Sequence, residues 1–228
     1  MKTRTTKRIQ KVTAVLLSAI MVLSVFAVMP TNLFKVSAAT NVSFDDRLEL
    51  DFNNNWKFFY GDDASASTKA FDDSTWKTVE LPHDFSISQD FLSAGTEAES
   101  GNLPGGTGWY RKTFTVPAED FGKHIWLQFD GIFRDARIWV NGFYLGHEPS
   151  GYATQTYDIS EYLNYGGENL VCVRADATLE EGWFYEGAGI YRHVWLNKAS
   201  KVHVAPFGTF VHSQFILNYD DCGGCAAC

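Results

Sequence analysis

The chain has 228 residues, 45% of them hydrophobic, 20% charged and 15% aromatic, a balance that excludes a disordered or fibrous protein and provides for a sizeable core. Six of the 19 basic residues and none of the 27 acidic ones fall in residues 1–38, which leaves 13 basic against 27 acidic and a net of −14 beyond them, where the whole chain carries −8. So acidic a body repels phosphate backbones, which excludes nucleic acid as a partner.

The front of the chain reads as an address. Lys2, Arg4, Lys7, Arg8 and Lys11 precede an apolar run over residues 12–29, followed by Pro30 and then by Val36-Ser37-Ala38-Ala39. These are the three regions of a secretory signal over residues 1–39, with cleavage after Ala38 or Ala39. The competing reading is an uncleaved anchor, because the apolar run approaches the length that spans a bilayer. The small-residue site favours cleavage, and with it a secreted protein without a stable membrane anchor. The apolar run is not followed by a Cys that could carry a lipid, and no twin-Arg pair precedes it, which leaves general secretion. The long basic front end is in keeping with a Gram-positive source.

From residue 41 to about 200 no helical periodicity exceeds two turns, and strand signals recur instead. Trp109-Tyr110-Arg111-Lys112-Thr113-Phe114-Thr115-Val116 is rich in strand formers and stops at Pro117. In His124-Ile125-Trp126-Leu127-Gln128-Phe129-Asp130, the residues Ile125, Leu127 and Phe129 share a face. Ala136-Arg137-Ile138-Trp139-Val140 runs into Asn141-Gly142, the preferred two-residue hairpin turn, and returns as Phe143-Tyr144-Leu145-Gly146-His147. Residues 158–163 predict one capped helical turn. Residues 169–174 and 189–196 predict two more strands, and Cys172 lies in the first of them as a small buried hydrophobe. Strands about ten residues apart, separated by Gly, Asn and Asp, define an all-β sandwich. Lys201-Val202-His203-Val204-Ala205-Pro206 opens a further strand after a hinge at residues 198–200.

Several blocks in order carry a family resemblance. Leu81-Pro82-His83-Asp84-Phe85, Gly108-Trp109-Tyr110-Arg111-Lys112-Thr113-Phe114, Phe129-Asp130-Gly131-Ile132, residues 136–142, Gly146-His147 and Gly151-Tyr152 resemble signatures of glycoside hydrolase family 2. The sharpest block is Trp183-Phe184-Tyr185-Glu186-Gly187-Ala188-Gly189-Ile190-Tyr191-Arg192-His193-Val194-Trp195-Leu196. The resemblance covers residues 50–212. It implies an exo-glycosidase acting on O-glycosyl bonds, most often a β-galactosidase, with a galactose-binding-like jelly roll, an immunoglobulin-like sandwich and then a (β/α)8 barrel that holds the catalytic glutamates. On that basis residues 40–200 are expected to form the sugar-binding jelly roll, residues 201–214 the first strand of the immunoglobulin-like domain, and residues 215–228 an aberrant Cys-rich tail. Residues 222–228, Cys222-Gly223-Gly224-Cys225-Ala226-Ala227-Cys228, are read as the product of a frameshift or early stop near residue 214.

A retaining glycosidase needs two carboxylates about 5 Å apart, one with a raised pKa. The doublets Asp45-Asp46, Asp62-Asp63, Asp72-Asp73 and Glu180-Glu181 are poor candidates, because strand neighbours point to opposite faces and polar doublets favour solvated turns. No catalytic residue is assigned, and the chain by itself is expected to be inactive. The histidines His83, His124, His147, His193, His203 and His212 show no ligand spacing, so neither metal nor cofactor is expected.

The resemblance implies that jelly-roll loops help to build the sugar pocket, and two segments match them. Asp84 could bond a sugar hydroxyl or cap a turn, and leads towards a Gly-rich loop over residues 93–106. Trp183 and Tyr185 offer rings to the C–H faces of a sugar or to domain packing, and Glu186 offers a hydroxyl acceptor. Trp183 stands where other members tend to carry Arg or Asp. Arg192 is read as half of a structural ion pair. The expected partners are a carbohydrate, a β-galactoside or related glycan, and a catalytic barrel that is missing or separately encoded. The alternative is a stand-alone secreted carbohydrate-binding module. DNA downstream of the codon for Gln214 separates the two, since only the first reading requires a barrel there.

Overall fold

The alternation of apolar and polar residues sets which side of each strand is buried, because successive side chains point to opposite faces. A computed structural model describes residues 47–92, 101–179 and 182–213. The expected signal at 1–39, most of the Gly-rich loop, Glu180-Glu181 and the Cys-rich tail lie outside the described residues. In chain order the strands are β1 (Leu48–Asp51), β2 (Trp56–Tyr60), β3 (Lys77–Val79), β4 (Gly106–Thr115), β5 (His124–Phe129), β6 (Ala136–Val140), β7 (Phe143–Glu148), β8 (Gln155–Asp158), β9 (Glu168–Ala177) and β10 (Val194–Ala199). They form a jelly-roll sandwich of a four-stranded sheet, β1-β10-β5-β8, and a six-stranded sheet, β3-β2-β4-β9-β6-β7. Every strand pair in both sheets is antiparallel. The β4–β9 ladder runs from Gly106 opposite Ala177 to Thr115 opposite Glu168 and forms the spine of the larger sheet.

The inward faces interleave. Ile125, Leu127 and Phe129 of β5 meet Tyr110 of β4, Val171 and Val173 of β9, Ile138 of β6 and Leu196 of β10 in one buried cluster. Trp56 is fully buried there, and its indole N–H donates to the Phe52 carbonyl at 2.8 Å, so the ring buries no unpaired donor. A second, smaller cluster lies on the outer face of the six-stranded sheet, where residues 62–76 fold back over Trp109 and Trp139, whose rings stack at 5.3 Å. Arg111, 3% exposed, anchors that flap: Nε donates to Asp73 Oδ2 at 2.7 Å and Nη1 to the carbonyls of Ala66 and, at 2.9 Å, Thr68. Much of the high aromatic content is absorbed by these two layers.

The long strands agree with the sequence reading, as does the turn between β6 and β7, where Asn141 (φ 52°) and Gly142 (φ 86°) are both left-handed. The capped turn is a short 3-10 helix over Ser160–Tyr162, with Asp158 Oδ1 accepting from Ser160 N at 2.9 Å. Cys172 is buried as expected, and burial pushes its thiol up to about 12. Two local readings differ. Residues 189–193, expected in a strand, are a loop: Gly189 has φ 104°, and its N–H and C=O both bond to Phe133 rather than to a strand ladder. Residues 201–206, expected to begin a strand, are not in one and pair with no strand among the described residues, and Val202 and Val204 are exposed. A strand needs a neighbour, and no second sheet is described to provide one.

Candidate functional site

Loops after β3, β5, β7 and β9 gather at one end of the sandwich. The last of them is fastened to the others by the backbone of residues 188–190. Ile190 and Ala188 accept from the N–H groups of His83 and Phe85 at 2.8 and 2.9 Å, and Phe133 and Gly189 exchange bonds of 2.9 and 2.5 Å. The Tyr191 hydroxyl donates to the Gly151 carbonyl at 2.9 Å and ties in the turn after β7.

Asp84 is the hub of this end. Its Oδ1 accepts from Ser86 N at 2.9 Å and Ala188 N at 3.0 Å, and its Oδ2 accepts from the Tyr185 hydroxyl at 2.6 Å. A carboxylate has about four acceptor positions, so two hold the loop, a third caps the turn at Ser86 and about one is left. Burial first, and then the bond to Asp84, push the Tyr185 phenol well above its usual range, so it stays a donor at any working pH. Glycine is required at two points. A Cβ on Gly187 (φ 76°) would lie 2.8 Å from Asp84 Oδ2, and one on Gly189 (φ 104°) would lie 2.2 Å from the Tyr110 hydroxyl oxygen. Beneath them, His83 Nδ1 lies 2.9 Å from that same Tyr110 hydroxyl. Burial first, and then the charge of Lys77, lower the His83 pKa.

Beside this hub runs a groove of about 530 Å³ between the 149–152 turn and residues 182–186, walled by Phe133, Arg134, Tyr152, Phe184 and Glu186. Tyr152 and Phe184 are 54% and 55% exposed, a large apolar area, and the Tyr152 ring rests edge-on against the buried Phe133 at 5.6 Å. Burial and then the charge of Glu186 raise the Tyr152 phenol, which places Glu186 within electrostatic reach of the Tyr152 ring. Trp183 is 92% exposed and contributes no wall to the groove. Of the residues singled out in the sequence, Asp84 and Tyr185 meet directly, Glu186 lies in the groove, and Trp183 stands in solvent at the tip of the same loop.

Arg134 and the Phe133 wall escape the sequence reading, because their strand-flanking position gives no signal until the loops are brought together. Gly151-Tyr152 is legible only as part of a family block. Arg192 stacks on Tyr191, with its guanidinium 5.1 Å from the ring centroid, and donates to the Asp130 carbonyl at 3.4 Å, where an ion pair was expected. The acidic doublets divide their work. Asp63 and Asp72 cap turns by accepting from Ser65 N and Ser74 N, each at 2.9 Å. Asp62 instead accepts from Arg174 at 2.7 Å, which holds its carboxyl down at about 2, and Asp73 accepts from Arg111.

A jelly roll with an aromatic-walled groove at its loop end has the form of a carbohydrate-binding domain. The chain belongs to glycosyl hydrolase family 2: residues 50–200 match the family model for the sugar binding domain of those enzymes. It is 40% identical over 172 residues to the β-galactosidase BoGH2A of Bacteroides ovatus, covering 75% of this chain and 20% of that protein. It is 30% identical over 198 residues to a β-glucuronidase of Formosa agariphila, covering 77% and 20% respectively. Among solved structures it superposes on a β-glycosidase from Bacteroides vulgatus with a TM-score of 0.64 and 38% identity, over 66% of this chain and 20% of that one. The chain therefore spans about a fifth of the length of these relatives.

Proposed function

We propose that this chain is the sugar-binding part of a secreted exo-glycosidase, β-galactosidase-like, that hydrolyses O-glycosyl bonds in carbohydrate metabolism together with a catalytic barrel outside these residues. The observation that carries the reading is the Asp84–Tyr185 bond of 2.6 Å. It holds residues 182–188 with Phe184 and Glu186 in the groove and Trp183 exposed at the tip of the same loop, from where its ring can close on a sugar bound in the groove, and pre-ordering a loop removes much of the entropic cost of binding. Rings supply flat apolar area for the C–H faces of a pyranose, and Glu186 supplies a charged acceptor for its hydroxyls. Asp84 acts through the loop it holds and through its remaining acceptor position. Secretion is supported by the basic front, apolar run and small-residue site of residues 1–39.

Calorimetric titration of the chain with D-galactose and with D-glucuronic acid tests the reading. Binding is expected for galactose, weakened at least tenfold in both Trp183→Ala and Glu186→Gln, which corresponds to about 1.4 kcal/mol. Binding that neither substitution changes would refute the placement. For secretion, the mass of the exported protein is expected to begin after residue 38 or 39.

A further inference from the structure

The groove beside residues 182–186 does not end at its Arg134 wall. On the far side of Arg134 and Pro149, which border both spaces, lies a second depression of about 350 Å³ bounded by Asp135, Asp176, Thr178 and Leu179. Each space falls in the range of about 300–1,000 Å³ in which small-molecule ligands bind. Sharing two walls, they run on from one another along the loop end of the sandwich.

Their chemistries differ in a complementary way. The first space is aromatic, with Phe133, Tyr152 and Phe184 in its walls. The second carries carboxylates that are already fixed in place. Asp176 Oδ1 accepts from Thr178 N at 3.1 Å and from Thr178 Oγ1 at 2.7 Å, while Oδ2 accepts from Arg174 Nη2 at 3.0 Å. Asp135 accepts from His147 Nε2 and pairs with Arg137 at 3.6 Å. Neither carboxylate has all its acceptor positions filled by these partners, and neither needs to reorganise to accept a hydroxyl. Rings followed by preset acceptors match the alternating C–H faces and hydroxyls of a neutral glycan, in which one sugar is joined directly to the next.

We propose that the two spaces form one extended groove that holds a glycan chain of at least two sugars, the first against Tyr152 and Phe184 and the next across Arg134 and Pro149 onto Asp135, Asp176 and Thr178. The inference rests on residues 182–188 being the sugar-presenting loop and extends that reading from a single sugar to an oligosaccharide. Chain length, and not only the identity of one sugar, then determines affinity.

The test is calorimetry on the full chain with D-galactose and with the neutral β-1,4-linked tetrasaccharides of galactose, glucose and mannose. At least one tetrasaccharide is expected to bind ten or more times as tightly as galactose. Asp176→Asn removes a charged acceptor, and Leu179→Lys obstructs the second space from an exposed position. Both are expected to erase the tetrasaccharide advantage while leaving galactose affinity as it was, and Leu179→Lys also leaves the melting temperature unchanged. Galactose binding with no tetrasaccharide bound more tightly would overturn the extended groove and leave the single-sugar reading standing. An advantage that survives Leu179→Lys would overturn it too. If no saccharide binds, the loop reading falls and the extension falls with it.

Discussion

Two loops of this sandwich are held by the same device and put to different uses. The flap over residues 62–76 is pinned by Arg111, which reaches Asp73 and several backbone carbonyls from a buried position on β4. The loop over residues 182–188 is pinned by Asp84, which reaches Ser86, Ala188 and Tyr185. In both, one ionised side chain satisfies several partners, which fixes a loop more firmly than any single bond would. The flap turns its aromatic residues inward, Trp76 packing at 5.4 Å on Phe59 and Phe71 at 5.4 Å on Trp76, and so closes a small core. The other loop turns Trp183 and Phe184 outward. A polar anchor therefore does not mark a binding site; what the anchored loop exposes does.

That contrast can be broken at either anchor. Arg111→Ala removes one side of a nearly buried ion pair and strands its carbonyl partners, so the largest effect is expected there, a loss of about 3–5 kcal/mol in denaturant unfolding. Sugar affinity of the surviving folded fraction is expected to be unchanged. Asp84→Ala deletes three bonds to a charged acceptor near the surface, and a smaller loss of about 2–3 kcal/mol is expected, this time with sugar affinity reduced. Equal effects of the two variants on affinity would remove the distinction between the loops.

The pH dependence sharpens the same comparison. The folded state holds His83 neutral with a pKa below the ordinary 6.5, so the unfolded chain takes up the proton first as pH falls. Its contribution is complete above about pH 6.5, the unfolded histidine value, and is lost as pH drops towards and through the lowered folded value. Measured between pH 8 and 5, wild-type stability is expected to fall more steeply than that of His83→Gln; parallel slopes would contradict a His83 pKa lowered by burial. Trp183→Ala is expected to give the smallest change in stability, within about 0.5 kcal/mol, because a ring so exposed packs on little.

How much of this was legible from residues depends on distance along the chain. β5 and the β6–β7 hairpin are local objects, and alternation or Asn141-Gly142 suffices to find them. β1, β2, β3 and β8 have five residues or fewer and lack a run long enough to show a period. Residues 189–193 read as strand because Ile190 and Tyr191 favour one, but Gly189 turns their backbone to Phe133 instead. At the site, the rings of residues 183–185 and the carboxylates Asp84 and Glu186 could be named from residue type. That Asp84 holds a loop 100 residues away could not, since no local signal joins residue 84 to 185. Nor does any local signal join Arg134 to Asp176, whose N–H bonds to the Arg134 carbonyl at 2.7 Å and sets the end of β9 beside it.

The most direct measurement of the central claim is the indole N–H resonance of Trp183 in a 1H–15N spectrum of the full chain, assigned by its loss in Trp183→Phe and followed during titration with D-galactose and the tetrasaccharides. A saturable shift is expected at Trp183 and at the Tyr152 and Phe184 backbone amides, with Trp76 and Trp109 unmoved. Shifts confined to the flap, or none at the loop end while sugar is bound elsewhere, would contradict it.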